Sequence, residues 1–245
     1  MQLKKILARA SASVASVASA VSLALLAGWC QAQPAKAGEQ DECPADTPYL
    51  DADALKKAGF ELTVFKRFCY VDKSGSYALV LGEKQDRPFA KEQLSSSIQA
   101  VLYKVERDNG LTRQWSIRDF AGPDDGGINF RSKLIELTDI DGDGLVDPIV
   151  VYRFFARGDD GAVSTDDFSG GIKLITFHKG RKATIHAITG DLDGDRKTIG
   201  NSNYFDLPKP IRQHLVKKMA AMYKARQFGF DNSYDFAPRK EAARR

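Results

Sequence analysis

The chain is poor in cysteine, histidine and methionine, with three of each, and in tryptophan, with two. Its histidines, at 178, 186 and 214, are scattered and form no H-E-x-x-H pair, so the clustered ligands of a zinc hydrolase are missing. No C-x-x-C supports a redox pair, and no G-x-S-x-G elbow supports a serine hydrolase. Beyond the first thirty-odd residues no stretch approaches the roughly 20 apolar residues of a membrane span. A net positive surface is also missing once the N-terminus is considered separately.

That N-terminus reads as an address. Lys4, Lys5 and Arg9 precede an uncharged run of Ala, Ser, Val and Leu that ends near Trp29. Ala32, or Ala37 within Ala35-Lys36-Ala37, offers the small residue of a signal-peptide cleavage site. The run is too weakly apolar for a permanent anchor, and Trp29 before Cys30 does not suit lipid attachment. Residues 1–32 are therefore expected to be a signal peptide, which makes the protein periplasmic or secreted. Losing Lys4, Lys5, Arg9 and Lys36 takes the basic total from 36 to 32, equal to the 32 acidic side chains. A neutral mature chain gives no argument for nucleic acid.

Export also gives the cysteines a meaning. Cys30 falls in the leader, leaving Cys43 and Cys69 as an even pair in an oxidising compartment, which reads as one disulfide. Unrelated thiols are the alternative.

The most informative stretch is 137–152, where Asp139, Asp141, Asp143 and Asp147 lie between two apolar runs. At about 6 Å and an effective dielectric of about 20, each neighbouring pair repels by roughly 2–3 kcal/mol, so a cation is called for. Calcium takes six to eight hard oxygens, and a D-x-D-x-D-G-x-x-D loop supplies them from alternating positions. The expected ligands are Asp139, Asp141, Asp143, the Leu145 carbonyl and Asp147, with Gly144 allowing the turn. An empty, solvated Asp/Gly turn is the bland alternative. Position 12 is Val150 and the flanks are strand-like, so this is not a helix–loop–helix EF-hand. A second run, Asp191, Asp193 and Asp195, has Arg196 where the glycine belongs and Ile199 at position nine, and makes a weaker metal candidate. Two such runs invite a repeat reading, but a propeller needs about four blades of some forty residues, more than this chain holds.

The remaining pattern is α+β. Asp51 can cap a short N-terminal helix that Gly59 stops. Strands follow over 60–72 and 76–82, around a turn at 73–75. The interval 85–97 reads as a polar loop with at most one helical turn. Strands at 98–108 and 111–120 flank Asn109-Gly110; a two-residue turn there pairs Asp108 with Leu111, Glu106 with Arg113 and Leu102 with Ile117. Strands at 130–138 and 148–156 flank the metal loop, 157–170 is an acidic, flexible loop, and a hairpin spans 171–190. Arg157-Gly158-Asp159 matches an integrin-binding tripeptide, a match short enough to arise by chance. Ile211, Leu215, Met219 and Met222 recur at helical spacing in a C-terminal amphipathic helix that opens near Pro210 and stops at Gly229. The expected organisation is a linker at 33–48, a single domain over 49–229, mainly an antiparallel hairpin meander, and a disordered polar tail over 230–245.

The Asp-rich stretch, the acidic loop after it, Ile188-Thr189-Gly190 and the late Leu207-Pro208 before a terminal helix resemble a family of small exported bacterial proteins. The family is named after a surface polysaccharide biosynthesis protein. The likeness covers about residues 130–220 and implies an envelope role without naming a chemistry or a catalytic residue. The loop itself resembles those of FG-GAP and related β-repeat proteins, where the metal staples a strand-to-strand connection. Two functions follow as expectations. One is a non-enzymatic protein with structural calcium that binds an envelope protein or a polysaccharide. The other is a carbohydrate-active or other hydrolytic enzyme using carboxylates of the acidic loops.

Overall fold

A computed structural model describes residues 42–44, 47–89, 92–164, 166–190, 192–231 and 235–241. The expected leader, Ala32 and Ala37 lie outside them. Helix α1 (Ala52–Lys57) opens on Asp51, whose side chain accepts the Ala54 amide at 2.7 Å. There follow β1 (Val64–Asp72) and β2 (Gly75–Lys84), a small hairpin of β3 (Arg87–Phe89) and β4 (Glu92–Leu94), and a long one of β5 (Ser97–Val105) and β6 (Leu111–Phe120). The chain continues through β7 (Asp125–Phe130), β8 (Glu136–Thr138), β9 (Asp147–Ala156), β10 (Gly171–His178), β11 (Arg181–Ile188) and β12 (Lys197–Gly200). Helices α2 (Ser202–Phe205) and α3 (Lys209–Lys224) and the short β13 (Arg239–Lys240) complete the described part.

Two sheets carry the fold. The smaller runs β1-β2-β5-β6; the larger runs β13-β12-β11-β10-β9-β7, with β8 also paired to β9. Among the described residues only β12 and β13 pair in parallel, so the α+β, mainly antiparallel class expected from the sequence is what the chain adopts. Side-chain alternation sorts the apolar residues into layers. Leu79, Leu81, Ile98 and Leu102 of the small sheet meet Val150, Tyr152, Phe154 and Ile175 of the large one. Their neighbours Ala78, Val80, Val101 and Tyr103 turn outward onto Leu50, Leu55 and Phe60. Ile149, Val151, Leu174 and Ile185 face the other way, onto Ile211, Leu215, Met219 and Met222 of α3. The order is helix, sheet, sheet, helix. Each fully buried Leu, Ile or Met contributes about 1.5–3 kcal/mol, which makes α3 a structural layer and not a surface appendage. Cys43 and Cys69 are bonded, closing 26 residues and tying the start of the described chain to β1.

Several boundaries differ from expectation. The domain reaches back into the supposed linker, because Glu42 bridges Phe68 and the Cys43 amide donates to the Arg67 carbonyl at 3.2 Å. The 85–97 interval holds β3 and β4 instead of a helical turn. Across the β5–β6 hairpin Val105 pairs with Leu111, and Leu102 with Trp115. Asn109 alone is left-handed (φ 64°), and its amide returns to the Glu106 carbonyl at 3.0 Å, so the connection is a three-residue loop, not a two-residue turn. The strand expected over 130–138 is broken by a 3-10 turn, Ser132–Leu134. Helix α3 stops at Lys224, before Gly229. Arg226 takes the left-handed conformation (φ 55°), and the Gln227 amide closes on the Met222 carbonyl at 2.9 Å. The tail is ordered over 235–241: β13 pairs with β12 and Phe236 is buried against α3's cluster, an apolar anchor in a polar segment.

Candidate metal centre

The stretch 139–146 joins β8 to β9, whose ladder sets Thr138 opposite Asp147 and Glu136 opposite Ile149. Backbone amides gather its carboxylates. Asp139 Oδ1 accepts from Gly142 (2.8 Å) and Asp143 (3.1 Å), and its Oδ2 accepts from Gly144 at 2.7 Å. Asp141 Oδ1 accepts the Asp143 amide at 3.3 Å, and Asp143 Oδ1 accepts that of Leu145 at 2.9 Å. Gly144 has φ 84°, a left-handed conformation that favours glycine, and a Cβ there would sit 2.7 Å from Lys73 Cδ, so the lysine side chain would have to move.

Two hairpin turns brace this loop. From the small sheet, the Lys73 amide donates to the Gly144 carbonyl at 3.1 Å and the Lys73 ammonium to the Asp143 carbonyl. Asp72 Oδ2 accepts the Val146 amide at 3.2 Å. From the large sheet, the β10–β11 turn has Lys179 (φ 49°) and Gly180 (φ 75°) both left-handed, as a two-residue hairpin turn requires. It brings Lys179 Nζ to 3.1 Å from Asp143 Oδ2, and His178 Nδ1 to 2.9 Å from Asp147 Oδ1 and 3.8 Å from Asp141 Oδ2.

Four of the five expected ligands thus fall into two adjoining groups that share Asp141. Ligand atoms of Asp139, Asp141 and Asp143 lie within 4.8 Å of one another, and so do those of Asp141, Asp147 and His178. Leu145 is held by its amide on Asp143. Asp147 is 3% exposed and its other oxygen accepts the Ile140 amide at 3.1 Å. Burial pushes the Asp147 carboxyl up, against the pull of His178 and the Ile140 amide, and neighbouring Asp141 adds to the rise. Asp143 is held below its ordinary value by the Leu145 amide and then by Lys179. Within each group the donor atoms converge, three carboxylates in the first and two carboxylates with an imidazole in the second, and amide contacts leave lone pairs on each carboxylate, so the oxygens could take a hard cation. His178 was not among the expected ligands. Continuing the β9–β10 ladder two residues past Thr176↔Ile149 sets it beside Asp147, a signal that needs the register.

The other acidic stretches are built differently. Asp193–Asp195 form a 3-10 turn, and Arg196 folds back so that Nη1 lies 3.2 Å from Asp193 Oδ1 and Nε donates to the Gly190 carbonyl at 2.9 Å. Asp191 lies outside the described residues. Asp193 and Asp195 join no three-residue ligand group among the described residues. In the 157–170 loop, Asp160 and Asp166 accept the Ala162 and Phe168 amides. The loop is not left loose: buried Arg153 pairs with Asp167 at 3.2 Å and donates to the Asp166 and Ser169 carbonyls. These carboxylates hold turns. No family model, curated protein or solved structure matches the chain.

Proposed function

We propose that this is an exported, disulfide-stapled envelope protein whose β8–β9 loop holds a structural calcium ion, and whose task is to bind a partner protein or a polysaccharide. The observation that carries the reading is the bracing of one acidic loop by turns from both sheets. Asp72 and Lys73 reach it from the small sheet, and His178 and Lys179 from the large one. Asp139, Asp141, Asp143 and Asp147, with the Leu145 carbonyl, would hold the ion, whose charge offsets their mutual repulsion. Lys73 and Lys179 already take part of that charge, which leaves the loop folded at low calcium and stiffer at high calcium.

A binding role is favoured over hydrolysis by what the acidic-loop carboxylates do. Asp139, Asp143, Asp160 and Asp166 accept backbone amides, and Asp167 pairs with Arg153, so the shaping of loops accounts for these carboxylates without a catalytic task. Calorimetric titration with calcium tests the metal. Extracellular-type sites bind at about 10⁻⁴–10⁻³ M, and Asp141→Asn, which keeps an oxygen but removes a charge shared by both ligand groups, should weaken binding about tenfold. Heat of binding that is absent in the wild type, or equal in both proteins, refutes the metal assignment.

A further inference from the structure

A second region gathers polar groups that take no part in the metal loop. Where the end of β6 meets β10 and β11, a cleft of about 400 Å³ opens, within the size range of small-ligand sites. Two of its lining residues, Asp119 and Lys173, belong to a hydrogen-bonded network. Asp119 Oδ2 accepts from the Tyr152 hydroxyl at 2.9 Å and from Lys173 Nζ at 2.6 Å, and Asp119 Oδ1 accepts the Phe120 amide at 3.0 Å. Lys173 also lies 4.9 Å from the Phe154 ring centroid, a cation–π contact that fixes the ammonium over an aromatic face. An ammonium has three N–H donors, and Asp119 takes only one of them.

Beside this network stands His186, which has no hydrogen-bond partner among the described residues. Desolvation and then the Lys173 ammonium hold its imidazole below the ordinary value. At neutral pH it therefore presents one donor and one acceptor. Asp125 accepts the Gly122 amide through Oδ2 at 2.7 Å, leaving its other oxygen for a ligand. Around the mouth, Phe120 is 57% exposed and Ile188 45% exposed, two of the large apolar side chains left in water.

We infer that this cleft binds a saccharide unit, with the ring's C–H faces on Phe120, Phe154 and Ile188 and its hydroxyls on Lys173, His186 and Asp125. The alternatives fit less well. A purely apolar ligand would leave Lys173, His186 and Asp125 desolvated without partners, which is costly for polar groups. A simple anion would face Asp119 and Asp125, and a simple cation would face Lys173. A hydroxyl both donates and accepts, and can satisfy all three groups at once. Asp119 acts here as a positioning residue: it holds Lys173 in place, and its own oxygens are already engaged.

The inference rests on the binding role proposed above but not on the metal. The test is calorimetric titration of the full, disulfide-bonded protein with cello-, chito- and galacturono-oligosaccharides, with calcium and with chelator. Phe120→Ala removes the exposed ring and His186→Ala the free imidazole. Neither side chain is in a hydrogen bond that holds the fold, so melting temperatures should stay at the wild-type value. The expected result is binding of one of these oligosaccharides that falls about tenfold or more in each variant, the loss of one good contact. Failure of all three probes to bind the wild type at millimolar concentration overturns the inference, as does binding that survives both substitutions. Saccharide binding that persists in chelator, in a protein whose melting ignores calcium, supports the cleft and refutes the metal loop alone.

Discussion

Removing the Cys43–Cys69 bond should be a costly change to the small-sheet side of the molecule. Replacing both residues by alanine avoids placing unpaired polar groups where Cys43 is nearly buried. With 26 residues in the closed loop, the chain-entropy relation gives about 3.5 kcal/mol at 25 °C. For a domain of this size each kcal/mol shifts the melting temperature by about 2–4 °C, so the double variant should melt roughly 7–14 °C lower. The loss should stay below that of a collapsed fold, because Leu50, Leu55 and Phe60 still pack on Ala78, Val80 and Val101. Circular dichroism melts under non-reducing conditions give the shift, and reduced wild type should match the variant. A double variant that melts within about 2 °C of the oxidised wild type would show that the tether contributes little and that α1's packing alone holds the N-terminal segment.

Other expectations rest on single contacts. Glu136 accepts from His214 (2.6 Å) and from Lys218 (2.5 Å), the latter nearly buried on α3. Burial pushes the Glu136 carboxyl up, but its two partners outweigh this and hold it below its ordinary 4.5. A carboxyl depressed by folding stabilises above its unfolded value and loses that contribution as pH falls through the folded one. Glu136→Gln should thus cost about 1–3 kcal/mol at pH 7 in urea titrations, with the gap to wild type shrinking below about pH 4; a gap independent of pH would refute the ion-pair account. Gly144→Ala must hold φ 84° with a Cβ and must push Lys73 aside, which should cost about 1–2 kcal/mol and weaken calcium binding. An unchanged urea midpoint would show that the loop relaxes freely.

The sequence made some features plain because their physics is local. Asp51 and Gly59 bracket a helix by capping and stopping it, and the Asp-x-Asp-x-Asp-Gly spacing forces carboxylates into one turn wherever that turn lies. The Cys43–Cys69 pairing was legible by parity. What escaped was long-range or degenerate. Asn-Gly suits two-residue and three-residue loops alike, and the register of β5 on β6 followed the second. Arg226 could stand in for a helix-ending glycine because a single left-handed residue costs little once Phe228 and Phe230 are buried beyond it. Phe236 ordered a tail whose composition is polar. His178 and Lys179 join the metal loop, and Asp119, Lys173 and His186 meet in one cleft, only through strand register, which no local pattern encodes.

The central claim is tested most directly by melting the wild type and Asp141→Asn in millimolar calcium and in excess chelator. At ten times its dissociation constant, calcium adds about 1.4 kcal/mol by mass action if it does not bind the unfolded chain. The wild type should then melt about 3–6 °C higher with calcium than with chelator, and Asp141→Asn should show less than half that rise. Identical wild-type melts in the two conditions would mean that Lys73, His178 and Lys179 satisfy the acidic loop by themselves, and the calcium assignment would be wrong.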